Sequence, residues 1–463
     1  MRIGLIVDHP KRDLEGVVLT AYALARRGAE AVIIPMYYQG VDIPCLGLDA
    51  VVMNYTRTAN KALIARYAQA GIKVFVLDTE GGVLAETGGN SPPALARRLR
   101  EEGYGGLLAG YLFWGSRLKD AFAAEGVLSP ERLHVTGCPR FDFAGPPWRA
   151  YLDAERRGYV LVNANFPLVN PRFSGSAGHE RESMVAAGWD GAYVDRLLAD
   201  TKGVFARYLE TVRSVIAARP NLSFLVRPHP FERKEPYLEA VRGLSNVIVD
   251  GTGSVLSVIH NSRAILHLNC GTAVEAVMLG KLPVQMEFLN TTATAGHARL
   301  PARVSHTAGS LDALLAVLDD LDGATVRFAF DALYKEHIHP FFHDNDGRAG
   351  DRVADTLMCE ITKHAKVRRW HSLGASLMGS RANPGLGQVA NGVVSVMLGS
   401  AATAALRALM SPARADKIFT VEQVEAILAR IAAQDGKGGS FAVRRHHGGL
   451  LQLPLASLQV RAA

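Results

Sequence analysis

The stretch Ala144-Gly145-Pro146-Pro147, then residues 148–157, then Tyr159-Val160-Leu161-Val162-Asn163, decides the fold. A Gly and two Pro interrupt regular structure. Residues 148–157 then carry a helical pattern, and the five-residue run 159–163 is apolar without alternation. Such a run bounded by breakers predicts a strand buried on both faces, as in a parallel sheet. It restarts a rhythm that the chain has already completed once.

Working back towards the N-terminus, short apolar runs at 3–7, 31–35, 50–53, 74–77, 111–114 and 133–136 predict strands. Between them, helical patterns fall at 14–27, 61–69, 92–102 and 116–125. Working forward, 223–226, 247–249, 264–268 and 282–285 predict further strands, and 193–219, 235–242, 255–261 and 274–279 predict helices. An insertion rich in Gly, Ser and charge occupies about 170–192. Alternation of β and α on this scale predicts an α/β protein of two Rossmann-like, doubly wound domains. Sheets of this kind take ligands at the carboxyl ends of their strands, so two of them facing each other predict a cleft there. The expected domains are 1–150, 151–347 and a mainly helical tail at 348–463.

Composition sets outer limits. The 463 residues are 48% hydrophobic and 21% charged, enough for ordinary cores. Four distant cysteines, Cys45, Cys138, Cys270 and Cys359, form neither a disulfide framework nor a zinc signature. The net charge of +7 is uneven. From Lys363 onward there are 13 Lys and Arg against four acids, which leaves the preceding residues at a net −2. A near-neutral body excludes nucleic acid as a partner of the main domains. The basic tail, with Lys366, Arg368, Arg369 and Trp370, reads most simply as a solvated face, with contact to an anionic membrane surface as the alternative. Residues 389–410 are the most membrane-like stretch, but Asn391, Gly392, Gly399 and Arg407 argue against a span. The expected location is the cytoplasm, with peripheral contact to the inner membrane.

Several strand ends carry chemistry. Val226-Arg227-Pro228-His229-Pro230 places a guanidinium and an imidazole between prolines, a rigid arrangement suited to phosphate. Leu268-Asn269-Cys270-Gly271-Thr272-Ala273-Val274-Glu275 opens a helix, where Gly271 admits a ligand and Glu275 can accept from a ribose. The same residues also fit a plain capping box of Thr272 and Glu275. Asp250-Gly251-Thr252-Gly253-Ser254 is a second Gly-rich turn, with Ser254 within reach of phosphate. It lacks the third glycine of a dinucleotide fingerprint, and the chain has no P-loop. Asp78-Thr79-Glu80-Gly81-Gly82 offers a carboxylate for general-base work. Arg140 and Asp142 are spaced to pair with each other. Asp8, His9, Lys11 and Arg12 crowd the first loop. His343-Asp344-Asn345-Asp346-Gly347 lacks the acidic alternation of a calcium loop, so neither a metal nor another cofactor is expected.

Taken in order, these segments resemble a known group. Arg227-Pro228-His229-Pro230 resembles the HP motif of bacterial sialyltransferases, capsule Kdo transferases and CDP-glycerol phosphotransferases. Ile6-Val7-Asp8 with Arg12–Gly16, Asp78–Gly82, Gly137–Asp142, Val162–Phe166 and Thr272–Pro283 resemble the bacterial surface carbohydrate biosynthesis proteins. The resemblance covers roughly 1–365. It implies a GT-B fold and glycosyl transfer from a nucleotide-activated sugar, CMP-linked, to a surface polysaccharide or its lipid-linked precursor. It implies that His229 contacts the donor phosphate, and the reading of the residues themselves adds Arg227, the amides near Gly271 and Thr272, and Glu275 on the ribose. The acidic pair of the companion motif is reduced here to Thr79-Glu80-Gly81, which leaves Glu80 as its catalytic carboxylate and Asp142 as a second acidic candidate. Two other readings share the architecture: a sugar-nucleotide 2-epimerase, and a non-catalytic subunit of an envelope polysaccharide complex.

Overall fold

A computed structural model describes residues 1–82, 91–173, 181–182, 184–185, 190–297, 299–363, 416–448 and 453–462. They form two compact units: Met1–Tyr151 with His339–Ala463, and Leu152–Ile338. The second unit thus ends short of residue 347, and the tail packs with the first unit instead of standing alone.

In the first unit the chain runs β1 (Arg2–Val7), α1 (Pro10–Arg26), β2 (Glu30–Pro35), β3 (Ala50–Met53), α2 (Thr58–Gln69), β4 (Lys73–Leu77), α3 (Pro92–Glu101), β5 (Gly110–Phe113), α4 (Ser116–Ala124) and β6 (Leu133–Val135). Each strand is a short apolar run, and each pairs in parallel with its neighbour, as in Ile3↔Ala31 and Ile3↔Ala50. Helix α1 begins where Pro10 pre-sets the first turn and the His9 ring accepts the Lys11 amide. It buries Leu14, Val18, Leu19 and Tyr22, and Gly28 at φ 77° follows its end.

The second unit holds β7 (Tyr159–Asn163), α5 (Gly191–Ala218), β8 (Phe224–Arg227), α6 (Glu235–Ala240), β9 (Val247–Val249), α7 (Val255–His260), β10 (Ser262–His267), α8 (Thr272–Met278), β11 (Leu282–Met286), β12 (His306–Ala308) and α9 (Leu311–Asp319). Its sheet order, β12-β11-β10-β7-β8-β9, is that of a Rossmann domain, with every neighbouring pair parallel. The core beneath it joins Val160, Val162, Phe224, Val226, Leu266 and Val284. Both units are therefore doubly wound α/β sheets, as the alternation of apolar runs predicts.

The described part of the tail is mainly helical and closes on a hairpin. Helices α10 (Ala349–Thr362) and α11 (Val421–Asp435) are present, but β13 (Phe441–Gly448) and β14 (Leu453–Ala462) form an antiparallel hairpin. Strand β14 joins the edge of β2 through Leu458↔Ile33 and Val460↔Ala31, giving the order β13-β14-β2-β1-β3-β4-β5-β6. An edge strand left open invites aggregation, and the hairpin covers this one. Buried Asp42 anchors it by accepting from the Ser457 amide and hydroxyl, at 2.9 and 2.6 Å. Leu458 and Val460 are fully buried. Leu458→Ala is expected to cost about 3 kcal/mol, read as a lower urea midpoint with unchanged slope. The basic Trp370 stretch and residues 389–410 lie outside the described residues. Among the described residues no helix is long and apolar enough to cross a membrane.

Candidate functional site

In each sheet the chain reverses its winding at one pair of strands, and the loops there diverge to leave a crevice. In the second unit that pair is β7 and β10. The segments gathered around it are those after β7, β8 and β10, which carry five of the predicted site residues, and the sixth, Ser254, follows β9.

Arg227 ends β8, is buried, and donates from its guanidinium to the carbonyls of Thr252 and, at 2.8 Å, Gly253. It therefore holds the Gly-rich turn after β9, and two of its N–H donors are spent on backbone. Asp250 completes that turn by accepting from the Thr252 amide and hydroxyl, both at 2.9 Å. Ser254 takes the N-cap position of α7 with no side-chain cap bond. Half-buried His229 follows in the next loop. Its Nδ1 accepts the Phe231 amide at 3.3 Å, so in the neutral ring the proton sits on Nε2, which becomes the donor.

Glu232, which the sequence did not single out, organises this loop. Its buried carboxylate accepts the Phe166 amide at 2.7 Å, the His229 amide at 3.3 Å and the Tyr237 hydroxyl. It thereby ties the loop after β7 to the one bearing His229, and burial raises its carboxyl. Glu232→Ala would strand these donors in a dry site, where each costs about 1–3 kcal/mol. The expected result is a loss of about 3 kcal/mol in unfolding free energy, measured by denaturant titration.

After β10, Gly271 occupies the N-cap position of α8 with φ −55°, a conformation open to any residue. A Cβ placed there would meet nothing within 4 Å, so the space in front of this backbone is open. No side chain caps the helix, which removes the capping box of Thr272 and Glu275. The Thr272 hydroxyl instead accepts from Asn163 Nδ2 at 2.8 Å and points to Cys270 Sγ at 3.1 Å. Asn163 is 4% exposed, and its Oδ1 has no partner among the described residues. Glu275 lies in the first turn of α8, half-buried. Behind them, Asn269 is fixed by Gln285, Asn290 and Thr294, and buried His267 is pushed down to about 3, so it stays neutral.

In the first unit the reversal lies between β1 and β3. A cavity of about 540 Å³, counted to its open mouth, sits at the carboxyl ends of β1, β3, β4 and β5. Asp13, Thr20, Asn54, Asp78, Thr79, Trp114, Cys138 and Arg140 are its polar and reactive lining. Arg140 reaches it because Gly16 of α1 lets the Arg140 backbone pass: a Cβ on Gly16 would stand 2.6 Å from the Arg140 nitrogen. Gly82 does the same for Trp114, whose ring a Cβ would meet at 2.6 Å. The Arg140 guanidinium lies over the Trp114 and Phe141 rings, at 5.1 and 4.4 Å, and 3.7 Å from Asp13.

That pairing corrects the expected one with Asp142. Both Asp142 oxygens accept amides at the start of α10, from Ala349 at 2.8 Å and Gly350 at 2.7 Å. Asp142 is thus a buried helix cap, with neither oxygen left to meet a substrate, and burial pushes it up to about 7. Glu80 is also displaced from its expected part. It is more than half exposed, and its carboxylate is engaged by Arg57 at 3.1 Å and Arg12 at 3.9 Å. The carboxylate that lines the cavity is Asp78, two residues earlier. Its Oδ1 accepts the Glu80 amide at 2.9 Å, and enclosure by protein pushes its pKa up to about 6. In the loop after β1, Asp8 is clamped between Arg12 and Lys417 of the tail, the latter at 2.9 Å. His339, His343 and Asp344 bring their ligating atoms within 4.8 Å of one another, while Asp346 of the same loop pairs with Arg352.

No protein-family model matches the chain, and no curated protein matches it. Solved structures similar to it include the MnaA–UDP complex of S. aureus, 12% identical, with TM-score 0.48, covering 80% of this chain and 100% of that one. UDP-GlcNAc 2-epimerase from Neisseria meningitidis bound to UDP-GlcNAc is 13% identical, with TM-score 0.46, over 78% of this chain and 100% of that one. The wall teichoic acid polymerase TagF is 12% identical, with TM-score 0.43, over 79% of this chain and 90% of that one.

Proposed function

We propose that this protein is a glycosyltransferase that takes a sugar from a nucleotide-activated, CMP-linked donor and passes it to a surface polysaccharide or its lipid-linked precursor. The observation that carries this reading is the gathering of His229, Thr272 and the open backbone at Gly271 on loops around one winding reversal of a Rossmann sheet. Ligands of such sheets sit at that place. The donor of fixed direction is the Nε2–H of His229; the Thr272 hydroxyl, which donates to Cys270 Sγ and accepts from Asn163, fixes the start of α8 beside it. Donors held in place before the reaction are what a departing phosphate needs, because they stabilise charge as it develops without reorganising. Ser254 and Glu275 flank them, as contacts for phosphate and ribose. Arg227 contributes by holding the 250–253 turn. Glu80 stays in the proposal as the exposed acid that sets Arg12 and Arg57 in place.

The test is a thermal-shift series with CMP, CDP, UDP and GDP on the wild type and on His229→Ala. Saturating CMP is expected to stabilise the wild type, by about 2.7 kcal/mol at a hundredfold excess over Kd, and to leave the variant unmoved. Equal stabilisation of both would remove His229 from the site, and silence from every nucleotide would sink the donor reading. Incubation of UDP-sugars without acceptor, followed by NMR, separates transfer from epimerisation. A 2-epimer formed in that mixture would overturn the transferase.

A further inference from the structure

We propose that His339, His343 and Asp344 form a binding site for one divalent transition-metal ion, such as zinc, which fastens the turn that carries Phe342 against aromatic rings of the first unit. The inference stands apart from the transferase reading.

Local backbone geometry brings the three residues together. Residues His339–Phe342 form one helical turn, which the His343 amide closes by donating to the His339 carbonyl at 2.9 Å. Residues four apart on such a turn share a face, and the two rings lie with centroids 5.7 Å apart. His343 takes φ 62°, the one residue other than glycine with positive φ among the described residues. Beyond it the Asp344 carboxylate returns to both rings. Oδ1 lies 3.2 Å from His339 Nε2, and Oδ2 lies 3.8 Å from His343 Nε2. One ligating atom from each residue falls within 4.8 Å of the others. Around a tetrahedral ion with ligands at about 2.0–2.2 Å, neighbouring ligand atoms stand about 3.3–3.6 Å apart. The cluster is already near that spacing, and small rotations of these partly exposed side chains close the rest.

The backbone at His343 asks for a compensating interaction. A side chain in the left-handed region is strained, even for histidine, which enters it more readily than most. A partly exposed imidazole–carboxylate pair returns little. An ion bound by all three side chains returns more, and the turn is held ready for it. Phe342 packs on Trp114 and Phe141, with centroids 5.5 and 5.2 Å away. Gly115 admits the turn, since a Cβ there would collide with the Pro340 carbonyl. Ligands placed in advance lose less freedom on binding.

The ligand types choose the ion. Two imidazoles and one carboxylate suit zinc, cobalt or nickel, whereas calcium and magnesium take oxygen. A calcium loop needs oxygens at alternating positions, a requirement that imidazoles do not meet. The other acid of the loop is committed elsewhere: both Asp346 oxygens accept from Arg352, at 2.7 and 3.1 Å, and offset that guanidinium's charge. Three protein ligands leave the remaining position to water.

The experiment is equilibrium dialysis of the untagged full chain, stripped with EDTA, against zinc, cobalt, magnesium or calcium chloride, with bound metal read by mass spectrometry. One equivalent of zinc or cobalt is expected on the wild type, and neither magnesium nor calcium at the same concentration. His339→Gln, His343→Gly and Asp344→Asn should each weaken zinc at least tenfold, as loss of even an outer partner of a ligand does. Glycine adopts φ 62° freely. The metal-free His343→Gly protein should therefore melt no earlier than the metal-free wild type, which separates a lost ligand from a lost fold. Zinc should also slow amide hydrogen exchange in residues 339–344 of the wild type. A wild type that binds no zinc would overturn the proposal, and so would a preference for calcium or magnesium. Zinc retained undiminished by all three variants, or protection confined to another segment, would show an adventitious ion only and overturn it equally.

Discussion

His229→Ala is expected to lower kcat by about 10²–10³-fold, the cost of deleting one pre-placed donor to a developing anion. The chain of causes begins in the sequence. Pro228 and Pro230 leave the loop few conformations, and Glu232, three residues on, accepts the His229 amide. The Phe231 amide occupies Nδ1, so Nε2 carries the proton of the neutral ring. A donor fixed in this way contributes most where charge builds up, on the phosphate oxygen as the sugar departs. The effect should therefore fall chiefly on kcat, with KM for the donor rising less. His229→Gln retains an N–H donor on a more flexible arm and should recover part of the lost rate. Initial rates at saturating donor decide the matter: an equal loss in KM alone would make His229 a ground-state binder, and an unchanged kcat would remove it from the chemistry.

How far the site was legible in the sequence depends on the distance over which each residue acts. Strand 159–163 was readable to the residue, because burial on both faces writes itself into consecutive apolar positions. The strand end at Arg227 and the loop after it were readable as a location for the same reason. What Arg227 touches was not. Its partners lie 25 and 26 residues further on, and they are carbonyls, which no side-chain pattern reports. Asp142 is a sharper case: its amide partners are 207 and 208 residues away, so a strand-end acid beside an arginine read as a site residue when it caps a helix. Strand β14 finds its place against β2 from the other end of the chain, and its sequence carries no sign of that edge. Glu232 left a faint local signal, an acid three residues after the histidine in a loop otherwise rich in proline.

Asp78→Asn tests the finest of these distinctions, the choice between two acids in one loop. The variant is expected to lose about 10²–10⁴-fold in kcat, the usual worth of a general base, whereas Glu80→Gln, which loosens the pairs with Arg57 and Arg12, should lose far less. The pH dependence follows from the surroundings of the carboxylate. Glu80 and the Tyr111 hydroxyl lie against Asp78, Arg57 offers an opposing charge, and Asp13 with Arg140 face it across the cavity. Burial outweighs the rest and lifts its pKa from 3.8 to about 6. The wild-type rate should accordingly rise as pH passes through about 6 and level off above it, and the acid limb should vanish in Asp78→Asn. Stability moves in the opposite sense. A carboxyl whose folded pKa is raised takes up a proton on folding, so its contribution is fully present below about 4 and is lost as pH rises through about 6. The asparagine variant, which never ionises, should therefore be at least as stable as the wild type at pH 8. A protein that melts no earlier and turns over hundreds of times more slowly would separate a reacting group from a structural one. An acid limb that persists in Asp78→Asn and disappears in Glu80→Gln would return the base to Glu80.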